Sequence, residues 1–287
     1  MLIVTGATGR LGSQIVDRLL ERVHADEVGV SVRDVGKAAA LAERGVRVRG
    51  GDFTDPPTLA AAFEGADQVL VVSAAIRGGS AFEANRAAID AASAAGARRI
   101  LYTSHQAASQ DSLFPPQQVH AATEQYLTQL GISFTALRNG FYASTLGMYL
   151  GDAFTTGTIV LPEDGPVSWT AHSDLAEVAA IALSDESALD GVTPPLTAPD
   201  MLDFAAVADL ISDITGRPIT RVVADDAEWT ASAIERGMPP QAADFSLGMF
   251  RAARRNEFAV TGPTLATIIG HPPTSVRTIL ENLAAPA

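Results

Sequence analysis

The first half of the chain alternates short apolar runs with alanine-rich segments of helical length. The runs are rich in β-branched residues and lie at 2–4, 28–32, 46–49, 68–72, 99–103 and 133–137. Continuously apolar runs of this length suit strands buried on both faces, as in a parallel sheet covered by helices on each side. The pattern therefore predicts an α/β fold of the Rossmann type, built on a doubly wound parallel sheet.

Proline and glycine positions mark the ends of the intervening helices. Asp55 followed by Pro56 and Pro57 predicts a helix start, and Gly96 and Gly131 stand where helices should end. The regular spacing of these signals supports repeated strand–helix units.

Beyond about residue 150 the alternation weakens. Turn-forming residues indicate loops at Gly157, Pro162, Gly165 and Pro166, and Ser173 with Asp174 indicates the opening of a helix. Further helices are expected at 204–215, 226–236 and 276–283, with a short strand at 219–223. The sequence thus predicts a cofactor-binding domain at 1–150, with contributions from about 172–198. A smaller, mostly helical lobe at 151–287 would cover the carboxyl edge of the sheet, where open α/β folds bind ligands.

The amino-acid composition excludes several classes of partner and chemistry. The formal net charge of -13 argues against nucleic acid or an anionic membrane as the main ligand, because both attract positive surfaces. The absence of cysteine excludes disulfides, thiolate nucleophiles and cysteine-bound metals. The opening apolar run is too short for a signal peptide, and no stretch reaches the roughly 20 apolar residues of a membrane span. We expect a soluble, cytoplasmic protein with no nucleic-acid or membrane partner.

A glycine-rich turn follows the first predicted strand and opens a helix. Gly6, Gly9 and Gly12 stand at regular spacing in the segment VTGATGRLG. Gly6 permits a tight turn, Gly9 lets the backbone approach a diphosphate, and Gly12 lets the helix pack closely on the strand. The segment predicts a dinucleotide site; a glycine-rich turn that binds no nucleotide is the alternative.

The end of the second strand discriminates between the two pyridine dinucleotides. An acidic residue there holds a ribose 2′-hydroxyl, whereas an arginine accommodates a 2′-phosphate, and here the strand ends at Arg33. Arg10 and Lys37, the only lysine of the chain, are close enough in sequence to assist. NADP(H) is predicted over NAD(H). An ordinary surface pair between Arg33 and Asp34 is the alternative, and Asp34 itself keeps NAD(H) open.

Two more segments end at the same predicted edge of the sheet. Asp52 and Phe53 follow the third strand and could contact an adenine, or they could be a helix cap and a core side chain. Ser73, Ala74 and Ala75 follow the fourth strand and offer small side chains where a cofactor would pass.

Five segments together resemble the NmrA-like branch of the atypical short-chain dehydrogenase/reductase superfamily: 5–12, 31–33, 102–104, 120–124 and 138–142. Within that branch the chain looks most like the NADPH-dependent quinone oxidoreductases of type 2 and the triphenylmethane dye reductases. The resemblance implies that Thr103 and Ser104 lie near the nicotinamide. It further implies a cofactor lining formed by Gly6, Thr8, Gly9, Arg10, Leu11, Arg33, Ser73, Ala74, Ala75, Arg138, Asn139, Gly140, Phe141, Tyr142 and Ala143.

The tyrosine–lysine pair of ordinary members of that superfamily is missing, because the expected position reads His120-Ala-Ala-Thr-Glu124. His120 and Glu124 share a helix face. They could orient each other, contact the cofactor's ribose region, form a substrate wall or make a purely structural contact. No histidine spacing predicts a metal site, and none is expected.

A hydride acceptor that delocalises its new charge, such as a quinone, can take its proton from water and does not need the missing pair. The sequence therefore predicts an NADPH-dependent reductase acting on a quinone or a similar electron-poor molecule. Candidate proton donors are His120 and Tyr142, and candidate pocket walls are Phe141, Tyr142, Tyr149 and Trp169. A non-catalytic NADP(H)-sensing regulator of the NmrA type is the alternative function. Reduction of an imine, azo compound or enone is also open. A homodimer is compatible with either function.

Overall fold

The computed structural model describes residues 1–74 and 80–284, so the expected cofactor contact at Ala75 lies outside the described residues. Its strands are β1 (Leu2–Thr5), β2 (Val28–Val32), β3 (Arg47–Gly50), β4 (Gln68–Val71), β5 (Arg99–His105), β6 (Ser133–Asn139), β7 (Phe141–Tyr142), β8 (Thr158–Pro162), β9 (Trp169–Thr170), β10 (Gly191–Val192) and β11 (Thr220–Ala224).

The helices alternate with these strands in the first half and dominate the second. They are α1 (Arg10–Leu20), α2 (Ala39–Glu43), α3 (Pro57–Phe63), α4 (Ser80–Ala94), α5 (Pro115–Leu130), α6 (Leu146–Leu150), α7 (Ala153–Thr156), α8 (His172–Ser184), α9 (Phe204–Thr215), α10 (Asp226–Glu235), α11 (Pro240–Arg254), α12 (Thr264–Ile269) and α13 (Val276–Ala284). Among the described helices none has the length and apolar character to cross a membrane.

Seven strands of the described chain form one parallel sheet in the order β10-β6-β5-β4-β1-β2-β3. The order reverses between β1 and β4, which is the point where open α/β sheets leave a crevice at their carboxyl ends. The predicted doubly wound Rossmann-type fold is confirmed. All six predicted central strands are present, with shifts of one or two residues at their ends.

Two apolar clusters cover the two faces of this sheet. On one face α1 and α8 bury side chains such as Ile15 and Leu175. On the other, α3, α4 and α5 bury side chains such as Phe63, Ile89 and Leu127. Each buried side chain of this size contributes roughly 1.5–3 kcal/mol relative to exposure, so the two clusters fix the helices that carry the loops at the carboxyl edge.

Arg99 joins the amino-terminal end of the sheet to the segment around α8. Its guanidinium is buried and donates to Gln68 Oε1 at 3.2 Å, Ala182 O at 2.7 Å, Thr135 Oγ1 at 2.6 Å and Leu189 O at 2.5 Å. Neutral acceptors thus satisfy a buried charge, as buried ionised groups require. Burial lowers the pKa of Arg99.

A third apolar cluster lies among residues 114–280 and includes Trp169, Phe204, Phe250 and Phe258. Trp169 is fully buried, and its indole N–H donates to Leu202 O at 3.0 Å. The prediction of Trp169 as a pocket wall is therefore wrong, because its ring is core.

One local prediction in the second half is also wrong. Pro162 does not mark a loop but the last residue of β8, which pairs in parallel with β11; a proline is tolerated at the end of a strand. The predicted helix opening is present with a shift of one residue, because α8 begins at His172 after the N-cap Ala171 and has Ser173 and Asp174 in its first turn. The Asp174 carboxylate accepts from Thr274 N at 2.6 Å and from the Thr274 hydroxyl at 2.8 Å.

Candidate cofactor and acceptor site

The glycine turn has the geometry that the sequence predicts. Gly6 adopts a φ of +62°, and Gly9 is the N-cap of α1. A Cβ on Gly12 would overlap the carbonyl oxygen of Gly6 and lie 2.7 Å from its carbonyl carbon. Since no side chain caps α1 and its first turn carries no acidic residue, the amides at this helix end face outward as a ready anion site.

A cleft of about 490 Å³ opens at the carboxyl edge of β1, β2, β3 and β4. It brings together the glycine turn, the positive residues after β2 and the loops after β3 and β4. Predicted cofactor residues that line it are Gly6, Thr8, Gly9, Arg33, Lys37, Asp52, Phe53, Ser73 and Ala74.

The two positively charged residues of the cleft are exposed. Arg33 and Lys37 both line the cleft. Asp34 does not serve as the partner of Arg33, because its Oδ1 accepts from Gly36 N at 3.0 Å and caps the 3₁₀ turn Val35–Ala38. Both positive residues therefore lie in the wall of the cleft, and neither forms a salt bridge with Asp34.

In the segment after β3 the predicted helix cap is wrong, because Asp52 bonds within its own loop and α3 has Pro56 as its N-cap, whereas Phe53 packs against the core as predicted. The Asp52 carboxylate accepts from Thr54 N and Thr54 Oγ1, each at 2.8 Å, and these hydrogen bonds together with the charge of Arg33 lower its pKa. Phe53 packs against the core cluster beneath α3 and also lines the cleft. Asp52 thus orders its own loop while Phe53 presents ring surface to the site.

The other residues of the first turn of α1 do not line the cleft. Leu11 and Gly12 belong to α1 and are buried. Arg10 is exposed at the start of the helix, where its charge adds to burial in lowering the pKa of His172 to about 4. His172 in turn contacts Tyr142, with ring centroids 4.3 Å apart.

Thr103 and Ser104 are buried near the end of β5, next to the cleft. Thr103 Oγ1 accepts from Ser73 N at 2.8 Å, which ties the end of β4 to β5. Ser104 Oγ donates to Glu124 Oε1 at 2.6 Å. Both side chains are therefore held in fixed directions at the edge where the sequence expects them.

Glu124 does not orient His120. Its carboxylate receives Arg138 Nε at 2.9 Å and Arg138 Nη2 at 2.6 Å, in addition to the Ser104 hydroxyl. The Arg138 side chain, predicted to line the cofactor, is thus engaged by α5. His120 and Glu124 share a helix face, as predicted. The prediction that they orient each other is wrong, because residues of β5 and β6 are the closer partners.

His120 instead belongs to a polar chain that starts at the cleft. Ala74 N donates to Asn85 Oδ1 at 2.9 Å, and Asn85 Nδ2 donates to the Tyr102 hydroxyl at 3.1 Å. The Tyr102 oxygen lies 2.8 Å from His120 Nδ1. Asn85 was not predicted from the sequence and Tyr102 appeared there only within a family motif, since neither position carries a local signal for this role.

An aromatic group surrounds the two histidines of this region. His105 contacts His120 at a ring distance of 6.0 Å, Phe141 at 5.5 Å and Phe258 at 5.9 Å. Burial lowers the pKa of His105 to about 3 and that of His120 to about 4. Both rings are therefore neutral at physiological pH. Phe141 is one of the rings around these histidines. Tyr149 instead packs edge-on against Phe204 in the third cluster.

The rest of the segment after β6 is closely packed. Asn139 is buried, and its Oδ1 has no hydrogen-bond partner within residues 1–74 and 80–284. Gly140 leaves no room for a side chain, because a Cβ there would overlap the Thr170 hydroxyl. Ala143 is fully buried, so its contribution to the site is limited to backbone and shape. No group of three His, Asp or Glu side chains in the described chain converges to hold a metal ion.

The cleft also contains features that fit a dinucleotide. Ser31 lines it, yet Ser31 Oγ is buried without a hydrogen-bond partner among the described residues. Gly51 lines the same wall, where a Cβ would overlap Ser31 Oγ. An unsatisfied hydroxyl beside a wall that lacks a side chain, next to an uncapped helix end and two cations, suits a polar anionic ligand.

Known proteins resemble this chain in both sequence and fold. A NAD(P)H azoreductase of Xenophilus azovorans is 32% identical over 274 residues, which cover 95% of this chain and 94% of that protein. The NADPH-dependent quinone oxidoreductase of Escherichia coli, solved with NADPH, superposes with a TM-score of 0.93 at 29% identity, over 99% of this chain and 100% of the other. The triphenylmethane reductase of Citrobacter sp., solved with NADP(H), gives 0.92 at 29% identity, again over 99% and 100%.

The profile of the NmrA-like family matches residues 1–261. This match spans the glycine turn, the cleft and most of the second half. The chain belongs to the NmrA-like family.

Proposed function

We propose that this protein is an NADPH-dependent reductase that transfers a hydride to a quinone or a similarly electron-poor acceptor. The observation that carries the proposal is the cleft in which the glycine turn, Arg33 and Lys37 converge beside the polar edge of β4 and β5. The names of the relatives, a quinone oxidoreductase, an azoreductase and a triphenylmethane reductase, support the same class of acceptor.

The domain and site assignments follow from this function. We propose that residues 1–150, with about 172–198, hold the cofactor and that 151–287 contribute the acceptor side. The glycine turn binds the diphosphate, and Arg33 with Lys37 binds the 2′-phosphate through charge-assisted hydrogen bonds. Phe53 contacts the adenine, and Ser73, Ala74, Thr103 and Ser104 border the nicotinamide. The same role is proposed for the segment 138–143 and for Ala75.

Bound NADPH supplies the hydride, and the chain supplies position and environment. Phe141 and the neutral His105 make one side of the acceptor space apolar. His120 and Tyr142 are the polar groups proposed to face the acceptor. Burial raises the pKa of Tyr142, so its hydroxyl keeps its proton and can donate a hydrogen bond. The proton that completes reduction of a quinone comes from water, because the charge is spread over the acceptor ring.

The direct experiment incubates the purified chain with NADPH and a panel of quinones, an azo dye and a cationic triphenylmethane dye. Loss of reduced nicotinamide absorbance reports turnover, and parallel runs with NADH report cofactor choice. We expect oxidation of NADPH with at least one class of acceptor. Tight NADPH binding without turnover on any acceptor would instead identify a sensing regulator, and absence of binding to either dinucleotide would refute the proposal as a whole.

Two further expectations stay predictions. The homodimer is tested by sedimentation of the purified chain. The cytoplasmic location is tested by fractionation of cells that express it. We also propose that nucleic acid is not a partner, in line with the net charge of -13.

A further inference from the structure

We infer that Asn85 and Tyr102 are positioning residues that fix His120 as a neutral imidazole with its proton on Nε2. In this state His120 presents a hydrogen-bond donor, not a base, to an oxygen of the acceptor. The location of the acceptor rests on the proposed function, whereas the tautomer is a property of the free protein.

The first step is the orientation of the Asn85 amide. A carboxamide has one accepting and one donating end, and the backbone N–H of Ala74 can only donate. Because Ala74 N lies 2.9 Å from it, the nearer atom must be Asn85 Oδ1. The donating end, Nδ2, is thereby directed at the Tyr102 hydroxyl, 3.1 Å away.

The second step assigns the single proton of the Tyr102 hydroxyl. Its oxygen accepts from Asn85, and His120 Nδ1 lies 2.8 Å away on its other side. Thr123 also neighbours the phenol, but its hydroxyl proton goes to Val119 O at 2.8 Å, and its oxygen is a weaker acceptor than an imidazole nitrogen. The Tyr102 proton is therefore directed at His120 Nδ1. Nδ1 must then be the accepting nitrogen of the neutral ring, and the imidazole proton lies on Nε2.

The third step is the charge of the ring. The groups that face His120 are the Tyr102 hydroxyl and the imidazole of His105, whose centroid is 6.0 Å away. The carboxylate one turn along the helix, Glu124, is paired with Arg138. With no free anion beside it in the described chain and with burial lowering its pKa to about 4, the ring stays neutral at physiological pH.

The fourth step is the direction of the free nitrogen. His120 is only partly buried, and Nε2 has no hydrogen-bond partner among residues 1–74 and 80–284. The chain of hydrogen bonds runs from Ala74, which lines the cofactor cleft, to Nδ1 on the other side of the ring. A fixed N–H donor on this ring suits the oxygen on which charge develops when a quinone accepts a hydride. The proton stays on Nε2 throughout, and water protonates the product.

The test is the nitrogen NMR signature of the histidines in the ¹⁵N-labelled free protein. Long-range ¹H–¹⁵N correlation distinguishes protonated from unprotonated ring nitrogens, and His120→Gln assigns the His120 signals. We expect a protonated Nε2 and an unprotonated Nδ1 near neutral pH. A proton on Nδ1 would overturn the inference, since the Tyr102 hydroxyl would then have to point at Thr123.

Asn85→Asp gives a sharper test. The introduced carboxylate can accept from Ala74 N but can no longer donate to Tyr102, so the phenol proton turns to it and His120 must donate from Nδ1. We expect the imidazole proton to move from Nε2 to Nδ1. The matched control Asn282→Asp, on the exposed face of α13, should leave the His120 signals in place.

An unchanged tautomer in folded Asn85→Asp would also overturn the inference. If that variant fails to fold, Tyr102→Phe replaces it: both tautomers should then be populated, and a single Nε2–H form would show that Tyr102 does not set it. These signals are measured without NADPH or acceptor. Failure of the reductase assay therefore leaves the result interpretable, and the two proposals fail independently.

Discussion

The guanidinium of Arg138 meets the carboxylate of Glu124 through two parallel hydrogen bonds, with Nε–Oε1 at 2.9 Å and Nη2–Oε2 at 2.6 Å. The pair joins α5 to β6, and the Glu124 side chain is only 7% exposed. The Arg138 pKa is raised by this carboxylate. Removing one partner of such a buried pair leaves the other without compensation.

We therefore predict that Glu124→Ala lowers the free energy of unfolding by about 3 kcal/mol, measured by urea denaturation. Glu21→Ala is the matched control, because Glu21 forms an exposed pair with Arg18 on α1. It should cost less than about 1 kcal/mol. Similar losses in the two variants would contradict a stabilising role for the buried pair.

Arg33→Ala should weaken NADPH binding roughly 10- to 100-fold, because a charge-assisted hydrogen bond contributes about 1.5–3 kcal/mol. NADH lacks the 2′-phosphate, so its affinity should change little. Calorimetry with both dinucleotides measures the difference. Arg236→Ala, far along the chain at the end of α10, is the control, and an equal loss for NADPH and NADH in Arg33→Ala would remove the phosphate assignment.

Gly12→Ala tests the glycine turn itself. The added methyl group would overlap the Gly6 carbonyl and lie 3.1 Å from Ala7 Cα, so the turn must shift. We expect at least a tenfold loss of affinity for both NADPH and NADH, since the diphosphate is common to them. Gly147→Ala is the control, because its Cβ would meet Leu283 at an ordinary 3.5 Å. Unchanged binding in Gly12→Ala would place the diphosphate elsewhere.

The sequence predicts the central sheet well because each strand there is a self-contained apolar run. It misses β10, which is two residues long, and it assigns β8 to a loop because Gly157 and Pro162 flank it. Those two strands exist through pairing with β6 and β11, which are distant in sequence. The sequence pattern within one segment does not predict its pairing with a distant segment.

In the candidate site, too, some residues are predictable from local sequence and others are not. The turn at Gly6–Gly12 and the cation at Arg33 follow fixed distances along the chain, and the sequence places them correctly in one cleft. The partners of His120 and Glu124 come from other elements, so spacing on α5 predicts only that the two share a face. Asn85 has no signal at all, because its role depends on Ala74 and Tyr102 meeting across the sheet.

The neutral histidines give the protein a definite response to acid. The pKa values of His105, His120 and His172 fall from 6.5 to about 3, about 4 and about 4 on folding, in each case first because of burial. Between about pH 6.5 and 4 the unfolded chain binds protons that the folded chain does not. Stability is therefore retained above about pH 6.5 and falls as the pH is lowered, by at most about 1.4 kcal/mol per pH unit for each histidine.

Urea denaturation across this range measures the slope. His105→Phe should flatten it, since the new ring lies among Phe141 and Phe258 and takes up no proton. His271→Gln should not flatten it, because the Pro272 carbonyl and Glu177 raise the pKa of that exposed histidine. A slope in His105→Phe as steep as in the parent chain would be the contrary result.

Lys37 carries the only ε-amino group of the chain, and it lines the cofactor cleft. Apart from the amino terminus, a reagent that acylates amines thus has a single target. Mass spectrometry of one peptide then reads out whether the cleft is occupied, and bound NADPH should shield that peptide from labelling. The scarcity of lysine turns an ordinary chemical modification into a site-specific reporter.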